Sequence, residues 1–123
     1  MVNQSDLNPY IYNAKCTRVY DGDSVTVDID LGMGVWLKNQ KTRLFGIDTP
    51  EIKGDEREAG LQATYRLRYL VQGYDIVIET HKDRTGKYGR WLVTLWVDTA
   101  GDGELTNVNE LLVEEGLAAK YEP

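Results

Sequence analysis

The stretch Ser24 to Gly32 constrains this chain more than any other. Val25, Val27, Ile29 and Leu31 alternate with Thr26, Asp28 and Asp30. A period of two turns one row of side chains to a core and the other to water, so the stretch predicts a half-buried β-strand. Such a strand needs partners, and the flanking sequence supplies them. Tyr12 to Tyr20 reads as a strand before it, with Asp21-Gly22 as the turn signal, and Val35 to Phe45 reads as a third strand. Ile76 to Thr80 predicts a fourth. Arg90 to Val97 predicts a fifth, and its nearly continuous apolar character places it centrally.

Ala59 to Val71 fits two periods. Ala59, Leu61, Ala63, Tyr65, Leu67 and Tyr69 alternate, whereas Ala59, Ala63, Leu67, Leu70 and Val71 share one helical face. Length, richness in Ala, Leu, Arg and Gln, and the stop at Gly73 favour a helix. A second helix is expected from Asn107, an N-cap with Glu110 three residues on, and it ends at Gly116. Three strands, a helix, two strands and a helix fit a five-stranded barrel of the OB type. The expected class is therefore mainly β with helices (α+β), two or three helices packing on the barrel.

At 123 residues with 41% hydrophobic content, the chain is expected to form one domain, residues 1–123, with residues 1–11 as a flexible N-terminal segment. Cys16 is the only cysteine, which excludes an internal disulfide and suits a small buried hydrophobe. No run is long and apolar enough for a membrane span, and Met1 to Pro9 lacks an apolar signal core. A cytoplasmic protein is expected, with a secreted mature form as the alternative, and a monomer with no membrane partner. The net charge of −6 argues against a nucleic-acid partner until its distribution is seen. Residues 1–97 carry 13 acids and 13 bases, so the excess of acid lies wholly in residues 98–123. His81 to Arg90 is locally basic through Lys82, Arg84, Lys87 and Arg90, and a local patch can hold phosphates on an acidic protein.

Three segments gather the groups that phosphodiester hydrolysis needs: Asp21 to Ser24, Arg43 to Glu51, and Asp83 to Arg90. The reaction must neutralise non-bridging oxygens, activate water and hold an in-line geometry. Asp23 and Asp48 supply carboxylates for a hard divalent cation. Glu51, just past Thr49-Pro50, can act as general base on a water at the metal. Arg43 and Arg90 offer planar forks matched to a phosphate. Taken singly, each segment has a plainer reading, as a hairpin turn, a loop entering a helix, or a solvated basic loop. Their joint occurrence at strand ends favours the chemical one.

Asp21-Gly22-Asp23-Ser24-Val25, Arg43 through Glu51, Lys87-Tyr88-Gly89-Arg90, and Asn109-Glu110-Leu111-Leu112-Val113 with Gly116-Leu117-Ala118 together resemble the staphylococcal nuclease (thermonuclease) family, in the family's order and over roughly residues 12–121. The resemblance implies an OB-fold barrel and a Ca²⁺-dependent endo- or exonuclease that hydrolyses DNA and RNA to 3′-phosphate ends. It implies that Asp23, Asp48 and the Thr49 carbonyl hold the metal, that Glu51 is the base, and that Arg43 and Arg90 bind the phosphate. It further implies that Lys87 and Tyr88 grip a neighbouring terminal phosphate, that Asp21 lies near the metal's waters, and that Asn109 and Glu110 position the last helix. Departures are the longer Gly32 to Lys41 stretch, Ser24 in place of Thr, Gly86 before the Lys-Tyr-Gly-Arg run, and an end just after Tyr121 without the family's final helix.

Other features receive plainer readings. Asp98 to Glu104 is a strand-to-helix loop without the full calcium-loop pattern. His81 is a surface or strand-end residue. Most of Trp36, Trp91, Trp96, Tyr10, Tyr12 and Tyr20 are expected in the core or at the barrel rim. Arg57, Arg66 and Arg68 are expected on a solvated helix face. The rival to an enzyme is an OB-fold module that binds nucleic acid or protein without cutting. Such a module would be expected to lack one of Asp23, Arg43, Asp48, Thr49, Glu51 or Arg90, and this chain keeps all six.

Overall fold

The computed structural model of the chain describes residues 9–85 and 89–121, the side chains of residues 82–85 excepted. Strands β1 (Ile11–Asp21), β2 (Ser24–Gly32) and β3 (Val35–Leu44) form an antiparallel meander. After a short β4 (Ile47–Asp48) and a 3₁₀ turn (Gly54–Glu56) comes helix α1 (Arg57–Val71). Then follow β5 (Asp75–Thr85), β6 (Trp91–Val97), β7 (Thr106–Asn107), α2 (Val108–Glu114) and β8 (Ala119–Lys120). β1 pairs with β5, β5 with β6, and β6 runs parallel to β3. That last pairing closes five strands into a barrel, so the mixed α+β class with an OB-type barrel is what the chain adopts.

The alternation in β2 does what its period dictates as far as Ile29, while Leu31, on the apolar row, is 47% exposed near the end of the strand. Val25, Val27 and Ile29 are buried while Thr26, Asp28 and Asp30 are only partly covered. They meet Cys16 and Val19 of β1, Leu44 of β3, Ile76 and Ile78 of β5, and Val93 and Leu95 of β6. The ambiguous stretch is a helix because Ala63, Leu67, Leu70 and Val71 fall on one buried face. Its end is tied to β1 where Gly73 N–H donates to the Cys16 carbonyl at 2.8 Å. β1 begins at Ile11, and Thr80 N–H donates to the Tyr10 carbonyl at 2.9 Å, tying the start of β1 to β5. Residues 1–8 lie outside the described residues.

α2 is capped as expected, the Asn107 side chain accepting Glu110 N–H at 3.1 Å. Several side chains depart from their expected places. Arg66 is partly exposed, as expected of a solvated helix face, but it is paired: its Nε and Nη2 each donate to Glu115 at 2.8 Å, joining α1 to the end of α2. His81 is half-buried within β5, stacked on Phe45 with centroids 3.8 Å apart, and its Nε2 lies 3.0 Å from Thr94 Oγ1. Trp36 and Trp91 are exposed, and Trp96 is half-buried with its indole donating to Glu79. The longer hairpin expected between β2 and β3 is present and turns through Met33-Gly34, both at positive φ. No helix among the described residues is long and apolar enough to cross a membrane.

Candidate active site

The β1–β2 turn is drawn in tightly because Gly22 has no side chain. A Cβ there would lie 2.7 Å from Ala63 Cβ and 2.8 Å from Thr49 Oγ1. The turn is braced by the Asp21 carboxylate, which accepts Asp23 N–H at 3.1 Å, and by Leu44 N–H donating to the Asp23 carbonyl at 2.8 Å. Asp23 is thereby buried at 7% exposure. Its Oδ2 accepts Thr49 N–H at 3.2 Å and Arg43 Nη2 at 3.3 Å, and its Oδ1 accepts the Ser24 hydroxyl at 3.3 Å.

Arg43 leaves β3 directly opposite Ser24 of β2. The same Nη2 that reaches Asp23 donates to Asp48 Oδ1 at 3.1 Å, so one guanidinium bridges two carboxylates that are 25 positions apart in the chain. Asp48 is held at this edge because β4 pairs with β8, Asp48 facing Ala119. Arg90, half-buried, joins from the start of β6: its Nη1 donates to Ser24 Oγ at 3.1 Å. Ser24 therefore links Arg90 to Asp23. Asp23, Arg43, Asp48, Thr49 and Arg90 thus form one connected group.

Glu51 is exposed on the segment after β4 and its N–H donates to Glu56 Oε2 at 3.3 Å. Among the described residues no hydrogen bond joins its carboxylate to the Asp23 network. Its backbone is nevertheless placed tightly, since a Cβ on Gly60 of α1 would lie 2.2 Å from the Glu51 carbonyl oxygen. Lys87 and Tyr88 lie outside the described residues.

The turn sets the Asp21 and Asp23 carboxyl groups close together. Burial, then the hydrogen bond and charge of neighbouring Asp23, push the Asp21 carboxyl up to about 6. Among the described residues there is no group of three or more His, Cys, Asp or Glu set to chelate a metal. The donors available at Asp23, Asp48 and the Thr49 carbonyl are all oxygens, and the Asp21 carboxylate lies in the same turn. That set suits a hard divalent cation completed by water and substrate oxygens, and lacks the nitrogen and sulfur ligands of a zinc site.

Three residues do more in the structure than their sequence positions imply. Ser24 was read as a minor replacement for Thr, but its hydroxyl is the link between Arg90 and Asp23; the hydroxyl shared by Ser and Thr was the available signal. Tyr121 lies against the guanidinium of Arg43, 5.6 Å from ring centroid to Cζ. Asn109, 4% exposed, accepts Leu95 N–H at 3.1 Å and donates to the Phe45 and Val93 carbonyls at 2.9 and 3.1 Å. It ties β6 to the loop that leads into β4, and so helps to seat Asp48.

The family model described as staphylococcal nuclease homologue matches residues 41–123. The chain is 32% identical over 121 residues to a thermonuclease of Staphylococcus hyicus, covering 95% of this chain and 63% of that protein. It is 34% identical over 120 residues to endonuclease YncB of Bacillus subtilis (92% and 51%), and 32% over 117 residues to a micrococcal nuclease of Shigella flexneri (89% and 59%). The chain spans between about half and two thirds of the length of these relatives. With a matching family model over most of its length and a barrel of the corresponding type, the chain belongs to the staphylococcal nuclease homologue family.

Proposed function

We propose that this protein is a calcium-dependent nuclease that hydrolyses phosphodiester bonds of DNA and RNA, leaving 3′-phosphate ends. The observation that carries the reading is the bridge from Arg43 to both Asp23 and Asp48. It places two oxygen donors and a guanidinium at one edge of the barrel. Family membership and the names of the relatives support the same reading.

The side chains divide the work as follows. Asp23, Asp48 and the Thr49 carbonyl are the groups that would hold Ca²⁺, which when bound supplies Lewis acidity and a more acidic water. Arg43 spends Nη2 on the carboxylates, and its Nη1 and Nε remain to donate to a non-bridging phosphate oxygen. Arg90 sits at Ser24 and donates to the same phosphate, so charge growing on phosphorus meets donors already in place. Glu51 takes a proton from the attacking water. The water oxygen bonds to phosphorus, the bond from phosphorus to the 5′ oxygen breaks, and that oxygen picks up a proton. Asp21 orders the waters beside the metal carboxylates, and Lys87 and Tyr88 take an adjacent phosphate. We assign the working unit as a monomer.

The test is cleavage of single- and double-stranded DNA and of RNA with Ca²⁺, Mg²⁺ or EDTA, with analysis of the product ends. Cleavage should need the metal. Glu51→Gln should slow turnover by about 10²–10⁴-fold with the fold intact, the usual worth of a general base. Metal-independent cutting, or unchanged turnover in Glu51→Gln, would refute the mechanism. Binding of oligonucleotide without cleavage under every condition would make the domain a binding module instead.

A further inference from the structure

Beside the Asp23 network, and sharing Ser24 and Arg90 with it, runs a second feature whose other residues the proposed chemistry does not use. The outer face of β1, β2 and β3 carries a groove of about 280 Å³, lined by Arg18, Tyr20, Ser24, Thr26, Lys41 and Arg90 among others. None of the described residues lining it is a carboxylate, in a chain of net charge −6. The register explains how the cations gather. Arg18 is the direct partner of Thr26 across β1–β2, and Thr26 is the direct partner of Lys41 across β2–β3. Directly paired residues project to the same face. Two cations therefore flank one small hydroxyl residue, with the wide space between them left open. Both are exposed, and Tyr20 is 60% exposed with the Arg18 guanidinium 5.9 Å from its ring centroid.

Asp28, next outward on β2, lies 3.6 Å from Lys38 Nζ and accepts Asn39 N–H at 2.9 Å. Asp21 and Asp23 belong to the turn described above. The groove and the candidate active site share Ser24 and Arg90, so a chain whose phosphate sits on Arg90 is led directly into it.

We infer that the Arg18–Lys41 groove binds the sugar-phosphate backbone of the nucleic-acid strand being cut, one or two nucleotides beyond the scissile phosphate, with Tyr20 stacking on a base. This rests on the hydrolytic reading given above and adds a binding subsite to it. Phosphates spaced along a strand meet Arg90, then Arg18 and Lys41, and the aromatic ring accepts any base because every base has a π-face. The groove thereby gives an acidic protein a local electrostatic hold on a polyanion.

The test uses the double variant Arg18→Gln/Lys41→Gln against two substrates, a thymidine dinucleotide and a fluorescein-labelled single-stranded oligonucleotide of roughly 20 residues. Two lost phosphate contacts should lower kcat/KM on the long substrate by about tenfold at low salt, and reduce the slope of log affinity against log salt by about 1.4, at roughly 0.7 per phosphate for a single strand. The dinucleotide, too short to reach the groove, should be cut within about twofold of the wild-type rate. Equal loss on both substrates, or no loss on the long one, overturns the proposal. Should the wild type cut neither substrate, the hydrolytic reading has failed on its own. Anisotropy binding of the labelled strand in EDTA then decides the groove, and an unchanged affinity and salt slope reject it. The single variants, each expected to reduce the slope by about 0.7, guard against a disturbed sheet in the double variant.

Discussion

Replacing Asn109 by Ala offers the sharpest check on how this site is assembled. Asn109 serves three backbone groups from two separate segments, and the structure shows which would be left without a partner. The Val93 carbonyl also accepts Phe45 N–H at 2.7 Å, so it stays satisfied. Leu95 N–H and the Phe45 carbonyl lose the amide they bond at 3.1 and 2.9 Å. Each orphaned buried group costs about 1–3 kcal/mol, so the variant should lose about 2–6 kcal/mol. A water entering the vacated space would bring the loss toward the lower figure. Against a total of about 5–15 kcal/mol for a domain, that is a large fraction. With a urea slope of about 1.5 kcal/mol/M, the midpoint should fall by about 1.3–4 M. Asn109→Asp should be no better, because it keeps the acceptor for Leu95 but turns a charge toward two carbonyls. The assay is equilibrium urea unfolding followed by tryptophan fluorescence and circular dichroism. A midpoint within about 0.5 M of wild type, at unchanged slope, would refute the claim that this amide pins β6 to the loop before β4.

Gly60→Ala should be destabilised by about 1–3 kcal/mol despite the better helix propensity of Ala, since its Cβ meets backbone rather than a movable side chain. Its turnover should fall as the Pro50-Glu51 segment shifts, and thermal unfolding with single-turnover kinetics checks both effects. Burial pushes the Cys16 thiol up to about 11 from its usual 9.0. The stability this represents is complete below pH 9 and is lost as pH rises through 11. The stability gap between wild type and Cys16→Val should therefore shrink or reverse in favour of Val across that window, and native Cys16 should resist thiol reagents at pH 8. Ca²⁺ at about 100 times its Kd should stabilise the metal-free protein by about 2.7 kcal/mol, read as a rise in Tm. Asp23→Asn should abolish that rise, and an undiminished Ca²⁺ effect in the variant would remove Asp23 from the metal site.

Much of the architecture was legible one segment at a time. β2 has the predicted bounds, and the capped second helix begins where Asn107 placed it. β5 runs on to Thr85, five residues past the expected end, because its later residues are basic and polar and carry no apolar period. The helix-or-strand ambiguity of residues 59–71 was settled correctly by composition, since propensity and amphipathic face agreed there. The partners of His81 and Arg66 were not legible, for a common reason. Each is polar and lacks a periodic signal of its own, and each found its partner far along the chain, His81 on Phe45 and Thr94, Arg66 on Glu115.

The amino-acid order alone determined which stretches become strands and helices, because side-chain period and caps act over a few residues and need no distant partner. It also determined the inventory of acids and arginines and their positions along the chain. Only the tertiary structure decided that Arg43 bridges Asp23 to Asp48, that Ser24 connects Arg90, that Asn109 braces β4, and that Arg18 and Lys41 face one groove. Those relations depend on strand register, on the parallel closure of β3 with β6 and on the β4–β8 pairing. Register is set by how many side chains pack together at once, and no local pattern in the chain encodes that sum.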